Sequence, residues 1–220
     1  MSERPLLQLA LDYIELPPAL AMAYRVHEAV DIIEIGTPLC TAVGMDAVAA
    51  VRALCPGSLI LADVKAPDVG ALTTRIAMQA GANWVTLIGS APPVTIREAL
   101  GEAAARQGQV LVELTGLHDT FERARGWLAD GVERLVYHVG WDEINVDGRR
   151  WQQSDIEMVG RLIEMGFKVS VAGGLSLDHV PMFRGVPVSV FVVGRAIRGA
   201  EDPIRAAHQL REALAEACTA

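Results

Sequence analysis

Short apolar runs of strand type alternate with helical segments along the whole of this 220-residue chain. Neither a linker nor a low-complexity stretch separates them. Strands that alternate with helices favour a parallel sheet with both faces covered. Eight repeats at even spacing predict an α/β protein, a single-domain (β/α)₈ TIM barrel over residues 1–220. An open doubly wound sheet is the alternative, and it would also place its loops at the C-terminal ends of the strands.

The boundaries follow from the apolar runs and from the glycines and prolines between them. The third strand starts at Leu59 and contains Asp63 and Lys65. The other strands are predicted at 6–12, 31–37, 82–89, 110–116, 134–140, 168–174 and 189–195. Helical segments are predicted at 17–30, 37–52, 71–80, 94–107, 120–130, 154–165, 177–183 and 203–217. The longest connection, 141–153, is expected to form a loop on the active face.

Composition excludes several classes of function. The net charge is −8 and the basic residues form no stripe, which argues against a nucleic-acid surface. No apolar run reaches the ~18 residues of a membrane span, and no signal-peptide pattern follows Met1. The three cysteines lack metal-site spacing and are interpreted as reduced thiols. We therefore expect a cytoplasmic protein with no nucleic-acid or membrane partner.

The third strand carries the most informative chemistry. Its apolar start at Leu59 leads into Asp63, Lys65 and Asp68. Because side chains alternate along a strand, Asp63 and Lys65 share one face. A carboxylate and an ammonium at the end of an apolar strand need each other, a metal or a ligand. A structural ion pair alone would explain this pattern about as well as a functional site.

Other strands end in the same way, and this favours a functional site. In a (β/α)₈ barrel, polar residues at the C-terminal ends of the strands line the catalytic face. Each of them taken singly has an explanation in core packing, but a whole rim of such residues does not. The residues concerned are Asp12, Glu34, Asp63, Lys65, Glu113, His138, Gly173, Gly174, Gly194 and Arg195.

Chemical roles can be assigned to this rim. Glu34 and Asp63, on adjacent strands, form a carboxylate pair suited to Mg²⁺, which prefers oxygen ligands. Lys65 would stabilise a developing enediolate, and Glu113 and His138 could transfer protons on the other side. The glycine-rich ends of strands seven and eight predict a phosphate site, to which Arg195 would add a charged hydrogen bond.

The motifs resemble those of a known group. The segment Asp63-Val-Lys65-Ala-Pro-Asp68 is similar to the D-x-K-x-x-D signature of the orotidine monophosphate decarboxylase suprafamily. Further matching segments are 9–12, 31–37, 82–86, 113–116, 136–138 and 194–195. Together they resemble the family of 3-keto-L-gulonate 6-phosphate decarboxylases and hexulose 6-phosphate synthases. The similarity extends from about residue 6 to residue 215.

The resemblance implies an Mg²⁺-dependent carbon–carbon lyase. It implies decarboxylation of 3-keto-L-gulonate 6-phosphate to L-xylulose 5-phosphate through an enediolate, with Asp12 and Thr37 near the substrate. Asp68 would reach the site of a second subunit, so a homodimer is expected. The remaining assignments are Glu34 and Asp63 as metal ligands, Lys65, Glu113 and His138 as catalytic groups, and Gly173, Gly174, Gly194 and Arg195 at the phosphate.

Two residues depart from the decarboxylase pattern. Trp141 stands where those enzymes have an arginine, and Ala172 where they have a threonine. Gly140 and Ala172 favour the sister reaction, aldol addition of formaldehyde to ribulose 5-phosphate, whereas Glu113 and Arg195 favour the decarboxylase. A non-catalytic barrel that binds a sugar phosphate is the alternative from another class, although phosphate binding alone needs neither Lys65 nor His138.

Overall fold

A computed structural model describes residues 4–219, and their side chains through residue 217. Eight parallel strands close into a barrel in which each strand pairs with its neighbours in the sequence and β1 pairs with β8. The predicted (β/α)₈ barrel is therefore confirmed. The strands are β1 Leu6–Leu11, β2 Ile32–Ile35, β3 Leu59–Ala66, β4 Trp84–Ile88, β5 Gln109–Glu113, β6 Arg134–His138, β7 Lys168–Ala172 and β8 Val190–Val193.

The helices surround the barrel and differ from the prediction at three places. A four-residue helix at Arg195–Arg198 was not predicted. The segment predicted as one helix from 37 to 52 is two helices, because Gly44 breaks it with a φ of 75°. The connection after β6, predicted as a loop, contains a short helix at Trp141–Asn145. The helices are α1 Leu16–Val26, α2 Thr37–Val43, α3 Asp46–Leu54, α4 Gly70–Gln79, α5 Pro93–Ala105, α6 Thr120–Asp130, α7 Trp141–Asn145, α8 Gln153–Glu164, α9 Arg195–Arg198 and α10 Pro203–Thr219, with a 3₁₀ segment at Leu177–Phe183.

Two hydrophobic clusters fill the molecule. The larger one packs the outward faces of the strands against the helices. The smaller one consists of residues that the strand alternation turns to the other face, into the barrel. Its buried members are Ala10, Ile32, Leu61, Trp84, Leu111, Val136, Ala172, Val190 and Val192.

The apolar layer inside the barrel determines where the polar residues lie. A residue two positions further along a strand points to the same face. Two positions after interior apolar residues the chain carries Asp12, Glu34, Asp63, Thr86, Glu113, His138, Gly174 and Gly194. An apolar layer thus fills the barrel interior, and a ring of mainly polar residues lies directly above it at the C-terminal rim.

Within residues 4–219 no single helix is long and apolar enough to cross a membrane. The helices α2 and α3 reach that length and composition only as a pair, across a 110° bend.

Candidate active site

Two buried carboxylates, Glu34 and Asp63, lie on the adjacent strands β2 and β3 at the rim. Burial raises the pKa of Glu34 well above its usual range, and the negative charges of Asp63 and Asp12 raise it further. One oxygen, Glu34 Oε2, accepts a hydrogen bond of 2.7 Å from Gln8 Nε2 inside the barrel. The pair therefore concentrates negative charge where water cannot screen it, which is an environment that a cation would stabilise.

Lys65 meets Asp63 through an irregularity in β3. The register between β3 and β4 shifts between Ala62 and Ala66, and Lys65 has a φ of 47°, in the left-handed region. The ammonium Nζ contacts Asp63 Oδ2 and lies 3.0 Å from Thr37 Oγ1. The predicted meeting of Asp63 and Lys65 is present, although the strand is not regular at this point.

The hydroxyl of Thr86 on β4 stabilises this irregular segment. Thr86 Oγ1 accepts a hydrogen bond of 2.9 Å from the backbone N–H of Lys65. The same hydroxyl donates a 2.7 Å hydrogen bond to Asp63 Oδ1. Because Thr86 is buried, water does not replace either contact readily. One side chain thus fixes both the backbone of Lys65 and the orientation of Asp63.

Electrostatics keep Asp63 anionic and Lys65 cationic. Burial alone would raise the pKa of Asp63, but the Lys65 ammonium and the hydrogen bonds that the carboxylate accepts lower it below its usual value. Burial alone would lower the pKa of Lys65, but the charges of Asp63 and Glu113 raise it. Lys65 Nζ lies 3.9 Å from Glu113 Oε2, so the ammonium stands between two carboxylates.

Glu113 and His138 form a second pair on β5 and β6. His138 Nδ1 lies 3.1 Å from Glu113 Oε1, and the same oxygen accepts a hydrogen bond from Thr115 Oγ1. Burial lowers the pKa of His138, but the hydrogen bond and the charge of Glu113 outweigh it and raise the pKa above its usual value. When protonated, His138 donates Nδ1–H to Glu113 and retains Nε2–H as a proton donor.

A cavity of about 270 Å³ opens at the ends of β7 and β8. The predicted phosphate residues Gly173, Gly174 and Arg195 line it, and no carboxylate does among the residues that the structure describes. Gly173 has a φ of 109°, and a Cβ there would lie 2.0 Å from the Val139 carbonyl oxygen, so only glycine fits. The other lining residues are Ile144, Asn145, Arg149, Arg150, Trp151 and His179.

The remaining predicted residues lie around these groups. Asp12 forms an ion pair of 3.2 Å with Arg198, and burial raises its pKa although Arg198 opposes the shift. Thr37 Oγ1 donates a 2.6 Å hydrogen bond to Asp63 Oδ2. Gly194 lies at the start of α9, near Asp12. Asp68 is exposed beyond the end of β3 and has no hydrogen bond or ion pair with the other predicted site residues in the part of the chain described here.

The carboxylate pair fits a hard divalent cation. The described residues contain no group of three or more His, Cys, Asp or Glu side chains that could hold a metal. A closed four-ligand zinc site is therefore not formed by them. Two carboxylates that leave further positions to water or substrate oxygens match the preference of Mg²⁺. The raised pKa of Glu34 agrees, because a cation would offset both causes of the shift, the burial and the negative charges of Asp63 and Asp12.

Several residues of the site were not singled out from the sequence. Thr86 and Gln8 face the barrel interior, and the two-residue spacing from the apolar layer would have identified Thr86. Arg149, Arg150 and His179 line the cavity at the ends of β7 and β8, from the β6 connection and the 3₁₀ segment. No motif marks them, because tertiary packing brings the β6 connection and the 3₁₀ segment to the cavity. Trp151, for example, donates a 2.6 Å hydrogen bond from Nε1 to the Gly173 carbonyl.

Comparisons with known proteins identify relatives of this chain. The model of the orotidine 5′-phosphate decarboxylase / HUMPS family matches residues 5–210. A 3-keto-L-gulonate-6-phosphate decarboxylase of Salmonella typhi is 42% identical over 212 residues, which cover 96% of this chain and 97% of that protein. These matches confirm the family resemblance seen in the motifs.

Solved structures give the same result. The structure of KGPDC from Streptococcus mutans in complex with D-R5P superposes with a TM-score of 0.94 at 37% identity, covering 97% of this chain and 99% of that one. A 3-hexulose-6-phosphate synthase from Salmonella typhimurium superposes with a TM-score of 0.89 at 31% identity, covering 96% and 99%. Both proteins are thus similar to this chain over nearly its whole length.

Proposed function

The chain belongs to the orotidine 5′-phosphate decarboxylase / HUMPS family, and we propose that it is a carboxy-lyase that converts 3-keto-L-gulonate 6-phosphate into L-xylulose 5-phosphate and CO₂. The observation that carries this proposal is the arrangement of Lys65 on the rim. Its ammonium contacts Asp63 and lies 3.9 Å from Glu113, which in turn holds His138. The Lys65 ammonium and the proton donor His138 therefore lie next to the same carboxylate, that of Glu113.

This arrangement suits the loss of CO₂ from a β-keto acid. The bond between the carboxylate carbon and its neighbour breaks, CO₂ leaves, and the electron pair moves onto the adjacent carbonyl oxygen to give an enediolate. Lys65 would stabilise the negative charge on that oxygen, because its raised pKa keeps it protonated. Asp63 keeps the ammonium in place through direct contact.

The enediolate must then gain a proton on the carbon that carried the carboxylate. His138 is the proposed source, directly or through a water that it holds together with Glu113. Its pKa is raised despite burial, so a larger fraction of the imidazole is protonated near neutral pH than at the usual pKa. Positioned acids of this kind typically contribute ~10²–10⁴-fold.

The carboxylates Glu34 and Asp63 would hold Mg²⁺ at this rim. When bound, the ion would supply a Lewis acid beside the substrate oxygens. Gln8 orients Glu34 through its 2.7 Å hydrogen bond, and Thr86 orients Asp63. The positively charged cavity next to Gly173 and Gly174 would take the substrate phosphate, and Asp12 and Thr37 would lie near the substrate.

The sister reaction, aldol addition of formaldehyde to ribulose 5-phosphate, is the second candidate. Ala172 at the end of β7 favours it, because the decarboxylase pattern has threonine at this position. The structural similarity to a hexulose phosphate synthase also supports it. The relative with the decarboxylase name is 42% identical to this chain, against 38% and 31% for two hexulose phosphate synthase structures, so decarboxylation remains the first choice.

One enzyme preparation tests both reactions. CO₂ release from 3-keto-L-gulonate 6-phosphate and formaldehyde consumption with ribulose 5-phosphate are measured with Mg²⁺ and with chelator, for the wild type and Lys65→Ala. We expect Mg²⁺-dependent CO₂ release at a higher kcat/KM than aldol addition, and a loss of about 10²–10³-fold in Lys65→Ala. Faster aldol addition would select the second candidate. Binding without either reaction would identify a non-catalytic barrel.

The proposal extends to assembly. Asp68 is exposed beyond β3, next to the exposed side chain of Val69, and Leu72 and Ile76 are exposed on α4. Burial of these apolar side chains in a homodimer would bring Asp68 towards the second subunit. The single-domain organisation over residues 1–220 and a cytoplasmic location belong to the same proposal.

A further inference from the structure

The guanidinium of Arg195 is held by one short helix, α7. The Cζ atom of Arg195 lies 4.1 Å from the centre of the Trp141 ring, a distance typical of a cation–π contact. Arg195 Nη1 donates a 2.9 Å hydrogen bond to Asn145 Oδ1. Trp141 and Asn145 are the first and last residues of α7, four positions apart, so they lie on the same face of the helix.

Two hydrogen bonds hold the helix α7 itself in place. Asn145 Nδ2 donates a 2.7 Å hydrogen bond back to the Trp141 carbonyl oxygen, and this turns Oδ1 towards Arg195. At the other end, the Gly140 N–H donates a 2.8 Å hydrogen bond to Glu143 Oε2. Both contacts reduce the freedom of a five-residue helix that would otherwise fray.

The partners of Arg195 are neutral. Arg149, which lines the same cavity, forms an ion pair of 2.6 Å with Asp155, so its charge is largely compensated. Arg195 has no ion pair among residues 4–217. An aromatic face and an amide oxygen orient a guanidinium without cancelling its charge. The full charge of Arg195 therefore remains for an anion in the cavity.

From this geometry we infer that Trp141 and Asn145 are positioning residues for the substrate phosphate, acting through Arg195. The inference rests on the proposed function in that the anion is the phosphate of the substrate. It assigns Trp141 to phosphate recognition at the β6 connection, in a position where the decarboxylase pattern has an arginine. The ligand class is a phosphate monoester dianion.

A double-mutant cycle tests this directly. The Kd of L-xylulose 5-phosphate and of inorganic phosphate is measured by calorimetry for the wild type, Trp141→Ala, Asn145→Ala, Arg195→Ala and the two double variants. An exposed cation–π contact is worth roughly 2- to 5-fold in affinity, so Trp141→Ala should raise Kd by about that factor. In the Arg195→Ala background the same replacement should change Kd by less than about 1.5-fold.

Kinetics separate positioning from general damage. Trp141→Ala should raise KM with kcat nearly unchanged, because uniform binding is lost. Trp141→Phe retains an aromatic face and should recover most of the affinity. Tyr24→Ala is the matched control, since Tyr24 is an exposed aromatic of α1 that stacks on His27, outside the cavity. It should leave Kd and KM unchanged.

Three results would overturn the inference. They are an unchanged Kd in Trp141→Ala, an equal loss with and without Arg195, and a wild type that binds neither inorganic phosphate nor the sugar phosphate. Failure of the proposed function has a different signature. In that case the wild type binds inorganic phosphate, but it binds L-xylulose 5-phosphate no more tightly than inorganic phosphate. The double-mutant cycle measured with inorganic phosphate still decides the role of Trp141.

Discussion

The Thr86 hydroxyl offers a sharp test of how the site is held together. Thr86→Val removes the hydroxyl and keeps nearly the same shape. It deprives the buried Asp63 carboxylate of a 2.7 Å donor and leaves the Lys65 backbone N–H without its 2.9 Å acceptor. A hydrogen bond to a charged group contributes about 1.5–3 kcal/mol, and an unpaired buried N–H costs about 1–3 kcal/mol.

The two contributions belong to one hydroxyl and are not expected to add in full. We therefore expect Thr86→Val to lower the free energy of unfolding by about 2–4 kcal/mol in urea titrations. The kcat for decarboxylation should fall by at least about tenfold, since the positive φ of Lys65 loses its support.

Thr74→Val is the matched control. Thr74 on α4 is also fully buried, but its hydroxyl has no hydrogen-bond partner within the part of the chain that the structure describes. Removing an unsatisfied hydroxyl should be neutral or stabilise the protein by up to about 1 kcal/mol. Equal free energies of unfolding for Thr86→Val and Thr74→Val would refute the role assigned to Thr86.

Three further outcomes follow from the charges at the rim. Mg²⁺ should raise the Tm of the wild type, and Glu34→Gln should lose that increase. In the presence of chelator, Glu34→Gln should melt no lower than the wild type, because the variant has no buried charge at position 34 that is repelled by its neighbours. Mixed Lys65→Ala and Asp68→Ala proteins, each inactive alone, should regain partial activity through hybrid dimers. The pKa of His138, followed by NMR, should lie above 6.5 in the wild type and fall in Glu113→Gln.

The same contacts define the results that would contradict these three predictions. Because the folded pKa of His138 is raised, its pairing with Glu113 stabilises the fold fully below pH 6.5 and is lost as pH rises through the folded pKa. Glu113→Gln should remove that pH dependence, and an unchanged His138 titration would contradict the pairing. A full Mg²⁺ shift in Glu34→Gln would exclude Glu34 as a ligand. Full activity of isolated monomers would exclude a shared site.

Much of the site could be predicted because barrel strands follow a simple rule. Apolar residues such as Ile32 and Leu111 fill the interior, and the residues two positions later, Glu34 and Glu113, must point the same way above them. Closure of the barrel then brings every strand end to one rim. Local sequence was therefore sufficient for the fold, the carboxylate pair and the His138 pair.

The residues that sequence reasoning missed depend on packing. A lysine has no preference for a positive φ, so nothing in the sequence indicates that Lys65 takes the left-handed region with support from Thr86. The partners of Arg195 are equally hidden, since Asn145 lies 50 residues away in the chain. The helix that carries Asn145 and Trp141 is too short to give a periodic signal.

The central claim is that this rim decarboxylates a β-keto sugar phosphate through an enediolate. The most direct measurement follows 3-keto-L-gulonate 6-phosphate in D₂O by NMR. The account predicts CO₂ and L-xylulose 5-phosphate with one deuterium on the carbon that carried the carboxylate, in the wild type but not in Lys65→Ala. Substrate that stays intact with the wild type, or a product without deuterium at that carbon, would contradict it.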